Sequence, residues 1–353
     1  MQNVRNALLD HVPKGIPQAF GSEALILDLQ STRDSIARGE FEGLRGTAFH
    51  NRNGVVTDRY CAIGDGVDSL ERYVHSLWYI YYQLACHISH EKSDQDGLVL
   101  DILRIQGLGP LSRPAPWGDG IDIARTTDGT LWNDLPFLVP NMTKFWVDHS
   151  GAMSSAHRLN LSTFLAKLAS ARVCKDRMCQ IALHLFRYTF EEARELRDPG
   201  CSEDENTHRR LHGLDYANLL PSACAWLRIA SHNIILLSDA CWSDCSGDIG
   251  QGGTLFTESE FGNRCPKGYT PWRWMFWLKR LYEIRDAAKK AGDEEIERLT
   301  TGAIDEMIKG ARERNSDILR VYKNGGEALH QEMHLRCLGK EPTSWEDVTV
   351  THM

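Results

Sequence analysis

The chain has 353 residues, with 40 Lys and Arg against 48 Asp and Glu, and a formal net charge of −8. That acidic balance argues against a binder of the nucleic-acid backbone, which normally shows a basic face, and no basic cluster interleaved with aromatics offsets it. A composition of 42% hydrophobic and 25% charged residues suits a globular protein with a sizeable core; no run reaches the roughly twenty apolar residues that span a bilayer, and the first ten residues lack the apolar segment of an export signal, so the cytosol is the expected compartment.

Helical periodicity runs through most of the chain. The expectation is an all-α fold, a single-domain helical bundle over 1–353, with its core between residues 16 and 337 and a polar tail at 338–353. Residues 16–40 read as a helix, and 41–65, with its Gly and Asn residues, as an irregular connection. Asp68 or Ser69 can cap a helix reaching residue 88, with Leu70, Tyr73, Val74, Leu77, Trp78, Tyr81 and Leu84 on its apolar stripe. Ser93 can cap a second, 94–106, where Leu98, Ile102 and Ile105 repeat at helical spacing. The Gly- and Pro-rich segment 107–133 reads as a long loop. Helices are expected again over 136–150, 158–171, 175–197, 218–241 and 271–291, then as a pair at 293–312 and 315–337. The polar stretch 198–210 reads as an exposed loop.

Several familiar chemistries are missing from this pattern. The ten cysteines lack the paired short spacing of a zinc site and read as free thiols. The Gly-rich piece 247–254 lacks the Lys-Ser/Thr ending of a P-loop and follows a helix, so it reads as a flexible connection or lid. With no Gly-x-Ser-x-Gly and no His-Glu-x-x-His, serine acyl transfer and zinc proteolysis are poor candidates.

Three polar constellations remain. The first is the helix junction at 90–96, where Asp94, Gln95 and Asp96 either serve the positive end of a helix or offer oxygen ligands to Mg²⁺. The second lies in 218–241, where Asn233 shares an apolar stripe with Trp226, and Asp239 stands near the helix end that disfavours carboxylates; each has a structural and a metal-binding explanation. The third is the helix opened by Pro271, which sets Trp272, Met275, Phe276 and Lys279 on one face, with Arg273 and Arg280 flanking it. One cation behind an aromatic and thioether wall suits a ligand with an anionic head and a hydrocarbon body, although such a lysine also snorkels over apolar surface.

Four blocks carry a resemblance: Trp78 within its aromatic helix, Ser89–Val99, Leu131–Pro136 and Arg273–Trp277. Their order over residues 70–290 resembles a fungal family of unknown function, and within it the atypical humulene synthases of tropolone sesquiterpenoid pathways. Those are all-helical class I terpene cyclases that lack the usual aspartate-rich motif. The resemblance implies a Mg²⁺-dependent sesquiterpene cyclase that ionises farnesyl diphosphate, an isoprenyl diphosphate substrate, and closes it to a humulene. Lys279 would be the essential lysine and Met275 the residue one turn earlier that controls product geometry. The wider family places its lysine directly after the second Trp, where this chain has Leu278; the one-position shift is the cyclase branch's. Mg²⁺ and Lys279, with Arg273 and Arg280, would neutralise the departing diphosphate. Trp78, Tyr81, Trp226, Trp272 and Phe276 would wall the cation's pocket. Asp94, Gln95, Asp96, Asn233 and Asp239 are metal candidates by residue type alone. Two alternatives stand beside the cyclase: a non-catalytic helical scaffold or binding protein, and a metal-independent, pericyclase-like pathway enzyme.

Overall fold

The computed structural model describes residues 23–116, 119–197, 209–264 and 267–339. The expected helix start at 16–22, most of the polar stretch 198–210 and the tail from 340 lie outside those residues. The helices of eight residues or more are α1 (Glu23–Ala37), α2 (Val67–His87), α3 (Ser93–Gly107), α4 (Leu138–His149), α5 (Ser155–Ser170), α6 (Gln180–Phe190), α7 (Tyr216–Ile229), α8 (Ser231–Asp239), α9 (Pro271–Ala291), α10 (Glu294–Glu313) and α11 (Asp317–Asn324). The all-α expectation holds. Strand structure among the described residues is confined to two small antiparallel pairs, β1 (Ser112–Pro114) with β2 (Ile121–Ile123) and β3 (Arg125–Thr126) with β4 (Gly129–Thr130). They fold the expected loop 107–133 back on itself. No helix among the described residues is long and apolar enough to cross a membrane.

One apolar cluster runs from Leu29 to Leu338. Within it α7 packs on α5, α6 and α10; α2 packs on α1, α4 and α5; and α9 lies along α10 with contacts to α6, α8 and α11. Residues 41–65 are helical rather than irregular. Leu44, Ala48, Val56 and Tyr60 are buried at multiples of four residues. Such a spacing drifts about 40° per step in an ideal α-helix, and π-helical turns at Thr47–Arg52 and Arg59–Ile63, each with extra residues per turn, keep the stripe facing the core. The run stops at Gly64, whose φ of +84° suits a residue without a Cβ.

Two expected helices are shorter than their apolar patterns. The 175–197 pattern yields α6 only as far as Phe190, because Glu191 leaves helical geometry to receive the backbone N–H of Leu255 and Gly253. The 218–241 pattern breaks at Ala230 into α7 and α8, and α8 packs against α9 and α10, with Ser231 and Ile235 beside Gly310. Downstream, 315–337 resolves into α11, a short helix Glu327–Gln331 and a 3-10 turn Met333–Gly339. Helix α9 has the expected bounds: the Thr270 hydroxyl accepts from the Arg273 N–H, Pro271 occupies the first turn, and Gly292 closes the end with a φ of +73°.

Candidate functional site: a cleft at Lys279

Helix α9 presents Trp272, Met275, Phe276 and Lys279 at different depths. Met275 is wholly buried, and Phe276 is wedged between Phe256 and Phe261, with ring centroids 5.2 and 6.0 Å away. Trp272 is half-buried beneath the Arg264 guanidinium, 4.3 Å from its ring, a distance at which the ring face attracts the cation. Beyond it a cleft of about 280 Å³ opens. Trp272 and Lys279 form one wall, Ser259, Glu260, Phe261 and Arg264 a second, and Gly325, Ala328, Leu329 and Glu332 the third.

Lys279 Nζ stands 2.6 Å from Glu332 Oε2 and 3.8 Å from Glu283 Oε1. Burial alone would raise the pKa of the Glu332 carboxyl; the hydrogen bond and charge of Lys279 overcome that and bring it below the ordinary carboxylate value. At neutral pH the cleft therefore holds an ammonium and a carboxylate side by side. The first offers only donors and the second only acceptors, with Phe261, Trp272 and Leu329 supplying apolar surface around them.

Arg273 performs a different task from the anion contact expected of it. Its guanidinium is fully buried and its five N–H groups have five acceptors: both Glu191 carboxylate oxygens, at 2.6 and 2.9 Å, and the carbonyls of Gly250, Gly268 and Gln251. Glu191 receives two more bonds, from Trp277 Nε1 at 2.6 Å and from the Gly253 N–H at 2.7 Å. This clamp ties the Gly-rich piece 247–254, expected to be a flexible connection or lid, to the core. A Cβ on Gly253 would lie 2.7 Å from the Glu191 carbonyl oxygen, so glycine is required by close approach. Arg280 is engaged as well, with the Phe190 carbonyl, the Tyr216 hydroxyl and Glu283.

The metal candidates do not converge on Lys279. On α3, Asp94 and Asp96 are exposed, Asp96 pairs with Lys167 at 2.6 Å, and Gln95 is buried with its amide N–H groups on the Ile88 and Asn160 carbonyls. On α8, Asp239 receives the Ser316 hydroxyl at 2.6 Å and supports the start of α11, while Asn233 is buried and its amide nitrogen has no partner in the structure. Among the described residues no three His, Cys, Asp or Glu side chains are grouped to hold a metal ion. The donor set thus does not fit the magnesium cluster that the resemblance implies. Of the expected aromatic walls, Trp272 lines the cleft and Phe276 backs it through Phe261. Trp78, Tyr81 and Trp226 are core residues away from it, with Trp78 Nε1 donating to the Pro136 carbonyl.

Sequence reasoning missed Glu332, which reaches Lys279 from 53 residues downstream, and Glu191, the partner of Arg273. Neither sits in a motif. The available signal was a general one: a buried arginine obliges the fold to supply a carboxylate.

The family model described as protein of unknown function (DUF3632) matches residues 78–281, a span from α2 to α9 that includes Glu191, Arg273 and Lys279. A protein of Penicillium oxalicum (strain 114-2 / CGMCC 5302), Oxopyrrolidines biosynthesis cluster protein G, is 56% identical over 338 residues, which cover 96% of this chain and 94% of the relative. No solved structure matches the chain.

Proposed function

We propose a function for a chain that belongs to this family of unknown function: it acts in the biosynthesis of a fungal secondary metabolite, binding an amide- or lactam-bearing intermediate in the Lys279 cleft. The observation that carries the proposal is the 2.6 Å pair of Lys279 and Glu332 within a half-apolar cleft, in a chain so similar to a protein named for an oxopyrrolidine cluster. A five-membered lactam presents a carbonyl and an N–H on one edge. The ammonium donates to the first and the carboxylate accepts from the second, while Phe261, Trp272 and Leu329 cover the ring. A cleft of about 280 Å³ lies near the lower end of small-molecule sites, roughly 300–1,000 Å³, and suits such a ligand. Negative charge developing on the carbonyl oxygen during enolisation or addition would be stabilised by the Lys279 ammonium. Glu332, with its lowered pKa, serves as an acceptor that orients the ligand rather than as a strong base.

The humulene synthase expectation asks more of this site than its charges offer. A diphosphate needs several free cations, whereas Lys279 is flanked by Glu283 and Glu332, Arg273 and Arg280 are occupied, and the one further cation of the described cleft lining, Arg264 on the Trp272 ring, stands next to Glu260 along the wall. Calorimetric titration with an N–H pyrrolidinone and its N-methyl counterpart tests the proposal. The N–H compound is expected to bind at least tenfold more tightly, with the preference erased in Glu332→Met, which has no carboxylate to accept the N–H; equal affinity for both compounds would refute the lactam reading. Incubation with farnesyl diphosphate, with Mg²⁺ and then with EDTA, followed by gas chromatography–mass spectrometry, addresses the rival directly. A cyclic C15 hydrocarbon that vanishes with EDTA would restore the cyclase in its place.

A further inference from the structure

A second cleft, of about 500 Å³, lies between the first turn of α5, the outer face of α7 and the start of α10. Helical spacing builds it: Pro221, Ala225 and Arg228 follow one face of α7, and Glu295, Arg298 and Leu299 face them from α10. The Cys224 thiol joins the two helices through the Leu299 carbonyl at 3.6 Å. Lys279 takes no part in this cleft, nor does any other residue of the site described above.

Its basic residues outnumber the carboxylates that face them. Carboxylates outnumber basic residues 48 to 40, and Arg38, Arg59, Arg172 and Arg320 each hold one on the surface. Arg228 and Arg298 line the cleft without an ion pair or hydrogen bond to any described residue. A third arginine, Arg197, stands at the rim, held by Asp293 and Glu295. The first turn of α5 adds the positive end of a sixteen-residue helix, where the N–H groups of Ser155 and Ala156 have no acceptor within the helix. Buried Asn218 forms a polar floor, fixed by Ser155 Oγ at 2.7 Å and Asp215 at 2.8 Å. Glu91 and Glu295 oppose these cations at the edge, and Glu295 is already spent on Arg197. Apolar surface comes from Leu159, Pro221 and Leu299.

We propose that this cleft is a second ligand site, taking a small molecule with an oxyanion head, a phosphate monoester or a carboxylate, on Arg228 and Arg298. Guanidinium forks match both head groups, and the volume leaves room for an organic body over Leu159 and Pro221.

Calorimetry on the full chain at constant ionic strength tests the proposal with phenyl phosphate, benzoate and benzyl alcohol, which share a body and differ in the head. Saturable binding of one or both anions, and none of the alcohol, is expected; the preferred anion identifies the head group. The Arg228→Gln/Arg298→Gln pair should weaken binding at least tenfold. Glu295→Gln should tighten it severalfold by releasing an Arg197 bond and removing a negative charge from the rim. Lys279→Met should bind like the wild type, which separates this site from the lactam cleft. Both arginines are exposed, so the melting temperature should not move, and each single substitution provides a second readout. Absence of saturable heat for both anions, wild-type affinity in the double variant, or loss of binding in Lys279→Met would overturn the proposal.

Discussion

Arg273 and Lys279 stand on the same helix, about 9 Å apart along its axis at 1.5 Å per residue, and they divide structure from chemistry. Arg273 is sealed in the core with every N–H satisfied, and its carboxylate partner Glu191 is equally buried, both at 0% exposure. Lys279 keeps 26% of its side chain exposed and shares its charge with two carboxylates at the edge of a cleft. Adjacent turns of one helix thus carry a cation that the fold cannot release and one that a ligand can reach. An ion pair becomes structural when desolvation makes its loss expensive, and available when water or a ligand can take the partner's place.

The largest effect should follow from breaking the buried side. Arg273→Met leaves Glu191 charged and unpaired in the core, which costs about 3–5 kcal/mol; denaturant unfolding monitored by circular dichroism would show it. A loss under 1 kcal/mol would mean that water reaches Glu191 and that the clamp is not sealed.

Acid should strike the same side next. On α6, seven residues before Glu191, burial and Arg187 push the His184 pKa down to about 4. A folded-state pKa below the unfolded one means that the unfolded chain takes the proton first, so stability falls as pH drops from about 6.5 toward 4. The loss reaches about 3 kcal/mol by pH 4, and His184→Leu should flatten that part of the stability profile. Glu332 contributes in the same direction at the other site: its lowered pKa adds stability above the ordinary carboxylate value, lost as pH falls through the lowered one. A profile unchanged in His184→Leu would point to the carboxylates instead.

Steric closure of the clamp is a smaller test. Gly253→Ala places a methyl 2.7 Å from the Glu191 carbonyl and should cost about 1–3 kcal/mol, as overpacking does; thermal melting checks it. The smallest stability effect belongs to Lys279→Met, expected at about 0–1 kcal/mol for a partly exposed pair, while ligand affinity in the cleft falls at least tenfold. A stability loss as large as that of Arg273→Met would erase the distinction between the two cations.

The α9 helix shows how far local information reaches. Its Pro start, its Gly stop and the shared face of Trp272, Phe276 and Lys279 follow from spacing and cap chemistry, which act within a few residues. The all-helical class was legible for the same reason. Residues 41–65 were not, because Gly and Asn signal a break locally while the four-residue apolar stripe only counts once a core exists for it to face. Which of the α9 cations would be buried was equally hidden. Arg273 and Lys279 have similar sequence surroundings, and their fates depend on partners 82 and 53 positions away.

The metal and substrate candidates divide along the same line. Asp94, Gln95 and Asp96 sit where a helix junction puts them, but whether their oxygens meet those of Asn233 and Asp239 is a matter of packing between α3 and α8. Sequence by itself determined the helical class, the amphipathic stripes and the caps of α9, since each depends on neighbours along the chain; the expected caps Asp68 or Ser69 and Ser93 instead lie inside α2 and α3, which begin after Gly66 and Lys92. Tertiary structure alone decided which charges are sealed, which pair across a cleft and which stay free, because desolvation and ion pairing depend on distances that only the packed fold creates.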